Sequence, residues 1–222
     1  MAQKSGGDKV TRNIVIAMVT LVVAVGVIFS VMGNKASNSV SLPSQANSTN
    51  GNGIEFNGDL TGVPVVDIWE DFQCPACAQF EALNSTYIES IIKEKRARVI
   101  FHPLSFIGPE SIRAANAAAC AADEGKYLEY HDFLYRNQPE ENSGKWSDAY
   151  LIAGGVAVGI SSGEFGACIN DSKYGGWVKS IATDGGKKGI DSTPSVFVNG
   201  KALDRNTQIY DAAAFAAAIE QG

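Results

Sequence analysis

Asp71-Phe72-Gln73-Cys74-Pro75-Ala76-Cys77 decides how this chain folds. It follows a strand-like run, Val63-Pro64-Val65-Val66-Asp67-Ile68-Trp69, and opens a helix-like run from Pro75 to about Lys95. That run places Phe80, Leu83, Tyr87, Ile88, Ile91 and Ile92 near the helical period, and Pro75 suits a first helical turn. Cys74 and Cys77 then share one turn and can close a small disulfide ring. Cys74 stands at the helix N-terminus, where unpaired N–H groups and the macrodipole favour a thiolate. This lowers a thiol below its free value of ~8.5. A stabilised thiolate leaves readily, so the disulfide is reactive towards other thiols. The stretch reads as a thiol–disulfide exchange centre. Two blander readings stand beside it: half of a zinc site, or a buried structural pair. Cys120 and Cys168 would complete four zinc ligands, but they form no second close pair. Neither has a histidine at ligand spacing, His102 and His131 being the only two.

The whole chain bounds the answer. Its 222 residues suit one domain, or one domain with an insertion. With 45% hydrophobic and 19% charged residues it can bury a core. The net charge of −6 and scattered Lys and Arg leave no basic stripe, which argues against a nucleic-acid partner. Ile14 to Met32 is a run of 19 residues without a charge. As a helix it spans about 28 Å, close to the hydrocarbon thickness of a bilayer. A cleaved signal peptide is the rival, but its apolar region is usually only ~7–15 residues. Gly33-Asn34-Lys35-Ala36 also makes a poor cleavage site. An uncleaved anchor is expected. Lys4, Lys9 and Arg12 precede it and only Lys35 follows closely, which places the N-terminus in the cytoplasm and the rest outside. Disulfides persist there.

The expected layout is a cytoplasmic segment 1–13, an anchor 14–32, a flexible Ser/Asn-rich linker 33–53 and a folded domain 54–222. Asn47-Ser48-Thr49 matches a glycosylation sequon, read here as a chance match in a Ser/Asn-rich tract. Strand signals fall at 54–57, 63–70 and 97–102. Helical stretches run from Glu110 to Asp123 and from Lys126 to Asn137. Ser147 can cap a third that stops at Gly159. Ser161-Ser162-Gly163-Glu164 resembles a capping box for a short helix holding Cys168, and Asp171 is a candidate cap for the next. Ser195-Val196-Phe197-Val198, Asn199-Gly200 and Lys201-Ala202-Leu203 read as a type I′ hairpin, and a last helix covers about Tyr210 to Glu220.

Asp71 to Cys77, the helical block, and Ser192-Thr193-Pro194-Ser195-Val196-Phe197-Val198-Asn199-Gly200, in that order, resemble the DsbA-like branch of the thioredoxin superfamily. With the anchor, the chain is similar to membrane-anchored extracytoplasmic thiol–disulfide oxidoreductases of Gram-positive bacteria, especially actinobacteria. The resemblance covers roughly residues 54 to 220. It implies an α/β thioredoxin fold with an inserted helical domain at about 108–188, preceded by one N-terminal transmembrane helix. It implies Cys74 as the nucleophile, Cys77 as the resolving thiol, and Thr193–Pro194 as a cis-proline loop facing them. Read without it, Pro194 is an ordinary loop proline. Two departures stand out. Strong oxidants of the family often carry His where this chain has Ala76. The buried acid of thioredoxin falls on Ile68, flanked by Asp67 and Glu70. Either acid can be a proton relay near Cys77, Glu70 the better placed; or both are solvated surface acids.

The expected function is a membrane-tethered oxidoreductase that introduces disulfides into exported proteins bearing reduced cysteines, with no cofactor and no metal. The resemblance implies reoxidation by a membrane partner, a vitamin K epoxide reductase-like or DsbB-like protein. The rivals are a reductant of the same fold, for example in cytochrome c maturation, and a non-catalytic disulfide-stabilised binding module. The exported location and even cysteine count further suggest a structural disulfide between Cys120 and Cys168, against two buried free thiols.

Overall fold

Residues 40–222 are described by a computed structural model. The expected anchor, Ile14 to Met32, and the segment before it lie outside the described residues. Among the described residues no helix is long and apolar enough to cross a membrane.

The chain runs β1 (Ile54–Phe56), β2 (Val65–Asp71), α1 (Pro75–Lys93), β3 (Arg98–Leu104), α2 (Pro109–Asp123), α3 (Tyr127–Arg136), α4 (Asp148–Ala157), α5 (Gly163–Asn170), α6 (Gly175–Lys187), β4 (Ser195–Val198), β5 (Lys201–Ala202) and α7 (Ala212–Glu220). The strands form one sheet in the order β1-β3-β2-β4-β5. β2 and β3 are parallel, with α1 as the crossover that such a pair requires, and the remaining pairs are antiparallel. This is a mixed α/β thioredoxin-like sheet with helices α2 to α6 inserted before β4.

β2 occupies the centre and is covered on both faces, so Ile68 to Asp71 are all buried, polar residues included. On one face Trp69 stacks on His102 at 3.8 Å, and α6 comes close. A side chain at Gly185 would meet Leu104 at 2.9 Å and Trp69 at 3.2 Å, which explains a glycine inside that helix. Val66, Ile68 and Glu70 share the opposite face. In the insertion, α2 is the central helix. Its Ala114, Ala115, Ala117, Ala118, Ala119, Ala121 and Ala122 are all buried, and small side chains let neighbouring helices approach. Cys120 of α2 and Cys168 of α5 are joined by a disulfide, with Cα atoms 6.0 Å apart.

Several boundaries differ from the sequence reading. β3 continues through Pro103 to Leu104. β1 covers only Val99 to Phe101, so the β3 edge is open at Pro103, where a missing N–H is tolerated. The cap of α5 is Ser162, which accepts from Phe165 N at 3.1 Å, rather than Ser161. Asp171 closes α5 instead of capping α6, which begins after Tyr174. The last helix starts two residues later, at Ala212, capped by Asp211. Residues 43–53, expected within a flexible linker, pack on the domain. Ser44 N and Oγ donate to Asp123 at 3.0 and 3.1 Å, Ala46 bridges to Ile54, and the Asn52 carbonyl accepts from the Trp177 indole at 2.7 Å. Asn47 of the sequon has its amide occupied, donating to Glu55 at 2.6 Å and accepting from Thr49 N at 3.0 Å. Asn199 and Gly200 both have positive φ, 49° and 77°, as a type I′ turn demands.

Candidate active site

β2 delivers the chain to Cys74, the N-cap of α1, and Pro75 takes the first helical position. The Cys74 carbonyl accepts from Cys77 N at 3.0 Å and Ala78 N at 3.1 Å. The turn before it is held by Asp71. Its backbone carbonyl accepts from Cys74 N at 2.9 Å, and its carboxylate accepts from Gln73 N at 2.9 Å and Ile107 N at 3.2 Å. Gln138 of the insertion donates to the carbonyls of Phe72 and Cys74 at 2.7 and 3.1 Å. The backbone around Cys74 is thus fixed by three separate segments.

Both cysteines of the pair are free thiols; Cys74 is half-buried and Cys77 is fully buried. Their acidities are driven apart. A hydrogen bond from Cys77, helped by the Thr193 side chain and the N–H groups of Cys77 and Ala76, outweighs burial and holds the Cys74 thiol down at about 5. Burial pushes the Cys77 thiol far up, and the neighbouring Cys74 and Glu70 add to the push. The Thr193–Pro194 peptide bond is cis, and the Thr193 carbonyl oxygen lies 3.6 Å from Cys74 Sγ. The structure therefore brings together Cys74, Cys77, Thr193 and Pro194, from positions more than a hundred residues apart. Cys120 and Cys168 are not part of this group.

Of the two acids flanking Ile68, Glu70 is wholly buried, so a solvated surface acid does not describe it. Asp67 lies on the other face of β2 and accepts from His102 Nε2 at 3.0 Å. Glu70 meets two groups that the sequence reading did not single out. Its Oε1 pairs with His131 Nε2 of α3, and Glu81 of α1 lies beside it. Burial raises the Glu70 carboxyl to about 8, raises Glu81 as well, and lowers His131. The three shifts agree on one arrangement, a protonated Glu70 donating to a neutral His131. Glu70 Oε2 and Glu81 Oε1 have no partner at hydrogen-bond distance. A pocket of about 170 Å³, lined by Glu81, Asp132, Tyr135 and Arg136 among others, opens beside the cluster. The ligand atoms of Glu70, Glu81 and His131 lie within 4.8 Å of one another, close enough to share a metal ion. Both carboxyls would first have to release protons that burial holds on them.

Glu81 did leave a signal. It follows Cys77 by four residues, on the same apolar helix face, where an acid is out of place. His131, Gln138, Arg205 and Tyr210 left none. The Tyr210 hydroxyl donates to the Ala76 carbonyl at 3.3 Å and Arg205 to the Thr193 carbonyl at 2.6 Å.

Comparison with known proteins agrees with this geometry. A family model described as Thioredoxin matches residues 53–221, a span that holds both Cys74–Cys77 and Thr193–Pro194. MdbA, a thiol–disulfide oxidoreductase from Actinomyces oris, superposes with a TM-score of 0.69 at 23% identity, covering 82% of this chain and 89% of that one. Reduced DsbA from Mycobacterium tuberculosis superposes with a TM-score of 0.61 at 27% identity, covering 71% and 81%. Among curated proteins, the Na(+)/H(+) antiporter NhaA 1 of Mycobacterium sp. (strain KMS) is 28% identical over 171 residues, which is 75% of this chain. The chain spans about a quarter of the length of that relative, 26% of it.

Proposed function

The chain belongs to the thioredoxin family, and from that premise we propose that it is a DsbA-like protein disulfide oxidoreductase that donates disulfides to exported proteins bearing reduced cysteines. One observation carries the reading. The half-buried Cys74 thiol, held down at about 5, sits over the buried Cys77 and beside the Thr193 carbonyl. A thiolate so favoured stabilises the reduced pair over the disulfide, which makes the disulfide an oxidant.

The chemistry follows. A substrate thiolate attacks Cys74 Sγ of the disulfide; a substrate–Cys74 bond forms and the Cys74–Cys77 bond breaks. Cys77 departs into apolar surroundings where it cannot stay charged, and takes a proton from the Glu70 carboxyl. Glu70 regains a proton along Glu81 and the adjoining pocket. A second substrate thiolate then attacks the substrate sulfur of the mixed disulfide, and Cys74 leaves as a thiolate. Two electrons have moved from the substrate dithiol to the Cys74–Cys77 pair. Throughout, the Thr193 backbone offers an edge on which an extended substrate segment can lie as an added strand.

The pair must be reoxidised to act again, and a vitamin K epoxide reductase-like or DsbB-like membrane protein belongs to the proposal. So does the anchor over Ile14 to Met32, with the domain outside the membrane; the uncharged run and the cations before it support this. The test is the equilibrium of the purified protein with glutathione, together with oxidative refolding of a reduced multi-disulfide substrate. A potential near or above about −180 mV with accelerated refolding is expected. A potential near about −270 mV would make the protein a reductant instead.

A further inference from the structure

Arg205 lies in the loop between β5 and α7. Its Nη2 donates to the Thr193 carbonyl at 2.6 Å, and the same oxygen lies 3.6 Å from Cys74 Sγ. The guanidinium nitrogen is therefore within about 6.2 Å of the sulfur. The loop is pinned on both sides of Arg205. Asp204 Oδ1 accepts from Asn206 N at 2.9 Å and from Thr207 N and Oγ1 at 2.8 Å, and Gln208 Oε1 accepts from Asp204 N at 2.7 Å.

Thiol and thiolate place opposite demands on the Thr193 carbonyl. The Cys74 thiol can donate to it. Once the proton leaves, sulfur and oxygen are both acceptors with nothing between them, and they repel. A cation on that oxygen offsets the repulsion and itself attracts the thiolate. Ala76 brings no side-chain donor to this task. The other titratable groups acting around Cys74 are Glu70 and Asp71 of β2, Cys77 of α1 and Tyr210 after the loop. Glu70 is protonated and neutral where Cys74 titrates, but the Asp71 carboxylate opposes a thiolate, so a positive charge there has something to balance.

We propose that Arg205 is a positioning residue for the exchange reaction: by placing a positive charge on the Thr193 carbonyl beside Cys74, it favours the thiolate and so the reduced pair over the disulfide. This rests on the oxidoreductase reading above. In the test reaction, the protein disulfide and two glutathione thiols give the protein dithiol and glutathione disulfide. Two electrons pass to the protein, and the proton of Cys74 goes to solvent. The cation acts on the reduced side alone, because the disulfide is uncharged. The carbonyl keeps a second lone pair for a substrate N–H.

The experiment compares full-length wild type, R205Q and R205K by the pH dependence of Cys74 alkylation and by glutathione equilibrium. R205Q keeps a donor without charge. It should raise the alkylation midpoint by about one unit and shift the equilibrium about tenfold towards the protein disulfide, which is ~30 mV. R205K should stay within about twofold of wild type, a result that lost packing alone would not produce. A readout on the wild type needs no variant to fold: the Arg205 side-chain nitrogen resonances of the dithiol should titrate with the Cys74 midpoint. R205Q indistinguishable from wild type, R205K shifted as far as R205Q, or a flat Arg205 resonance would each overturn the inference. Wild-type Cys74 titrating as a free thiol would instead sink the oxidoreductase reading itself.

Discussion

At Cys74 a backbone N-terminus, a thiol donor and a threonine side chain converge on one sulfur, while one helical turn away Cys77 is stripped of water. The expected consequence is a wide gap in reactivity. In the reduced protein iodoacetamide should modify Cys74 with a midpoint near pH 5, leaving Cys77 untouched through neutral pH. Cys77→Ala removes the strongest of the thiolate's donors, so the Cys74 midpoint should rise. Faster modification of Cys77 would reverse their roles. Glu70 offers a second test. Its carboxyl is raised to about 8, so it is protonated at neutral pH. Glu70→Gln keeps the neutral shape but has no proton to give when Cys77 departs. Disulfide exchange should slow on the order of a hundredfold, and the limb of the pH–rate profile near pH 8 should vanish. An unchanged profile would leave Glu70 a buried bystander.

At the scale of elements, the helical insertion rests on a cross-link as well as on its alanine-rich α2. Cys120 and Cys168 are 48 residues apart in sequence, with Cα atoms 6.0 Å apart, inside the usual range for a disulfide. Closing such a loop stabilises the fold by about 4 kcal/mol in the chain-entropy model. The double variant C120A/C168A should melt roughly 10 °C lower, with Cys74 alkylation unaltered because the bond touches neither Cys74 nor Cys77. The other end of the chain gives a smaller effect. Asp211 Oδ1 accepts from Ala213 N at 3.0 Å and Ala214 N at 2.9 Å. Asp211→Ala should cost about 1 kcal/mol, read by chemical denaturation. Elements with local signals were legible beforehand: the hairpin from Asn199-Gly200, α1 from Pro75 and its apolar period. Where caps were ambiguous among adjacent polar residues, as at Ser161 against Ser162, packing of the neighbouring helices chose. Ser162 Oγ also donates to Glu124 of another segment at 2.6 Å.

Across the whole molecule, the acidity of Cys74 becomes a stability difference between redox forms. A thiol whose folded value is depressed contributes stability that is complete above its unfolded value of ~8.5 and is lost as pH falls through about 5. The disulfide form has no such thiol. With Cys120–Cys168 intact in both, the reduced protein should therefore gain stability over the oxidised protein between about pH 5 and pH 8.5, and lose it again above, where the unfolded chain releases the Cys77 proton that burial holds in the fold. Denaturant midpoints of the two forms across that range measure it. A difference independent of pH would mean that Cys74 is not a stabilised thiolate.

What the sequence determined by itself is whatever a few neighbouring residues can settle: a cysteine pair opening a helix, a two-residue hairpin turn, the order of strand, helix and insertion. Those follow from backbone geometry and side-chain period, which act over one or two turns. Tertiary structure alone decided the character of the site. Glu70 reads as either a proton relay or a solvated surface acid until α1 and α3 cover it and bring Glu81 and His131 from 11 and 61 residues away. Gln138 and Arg205 read as ordinary polar residues until they meet the carbonyls beside Cys74. Burial and charge proximity set a group's acidity, and both depend on what lies around it in space rather than along the chain.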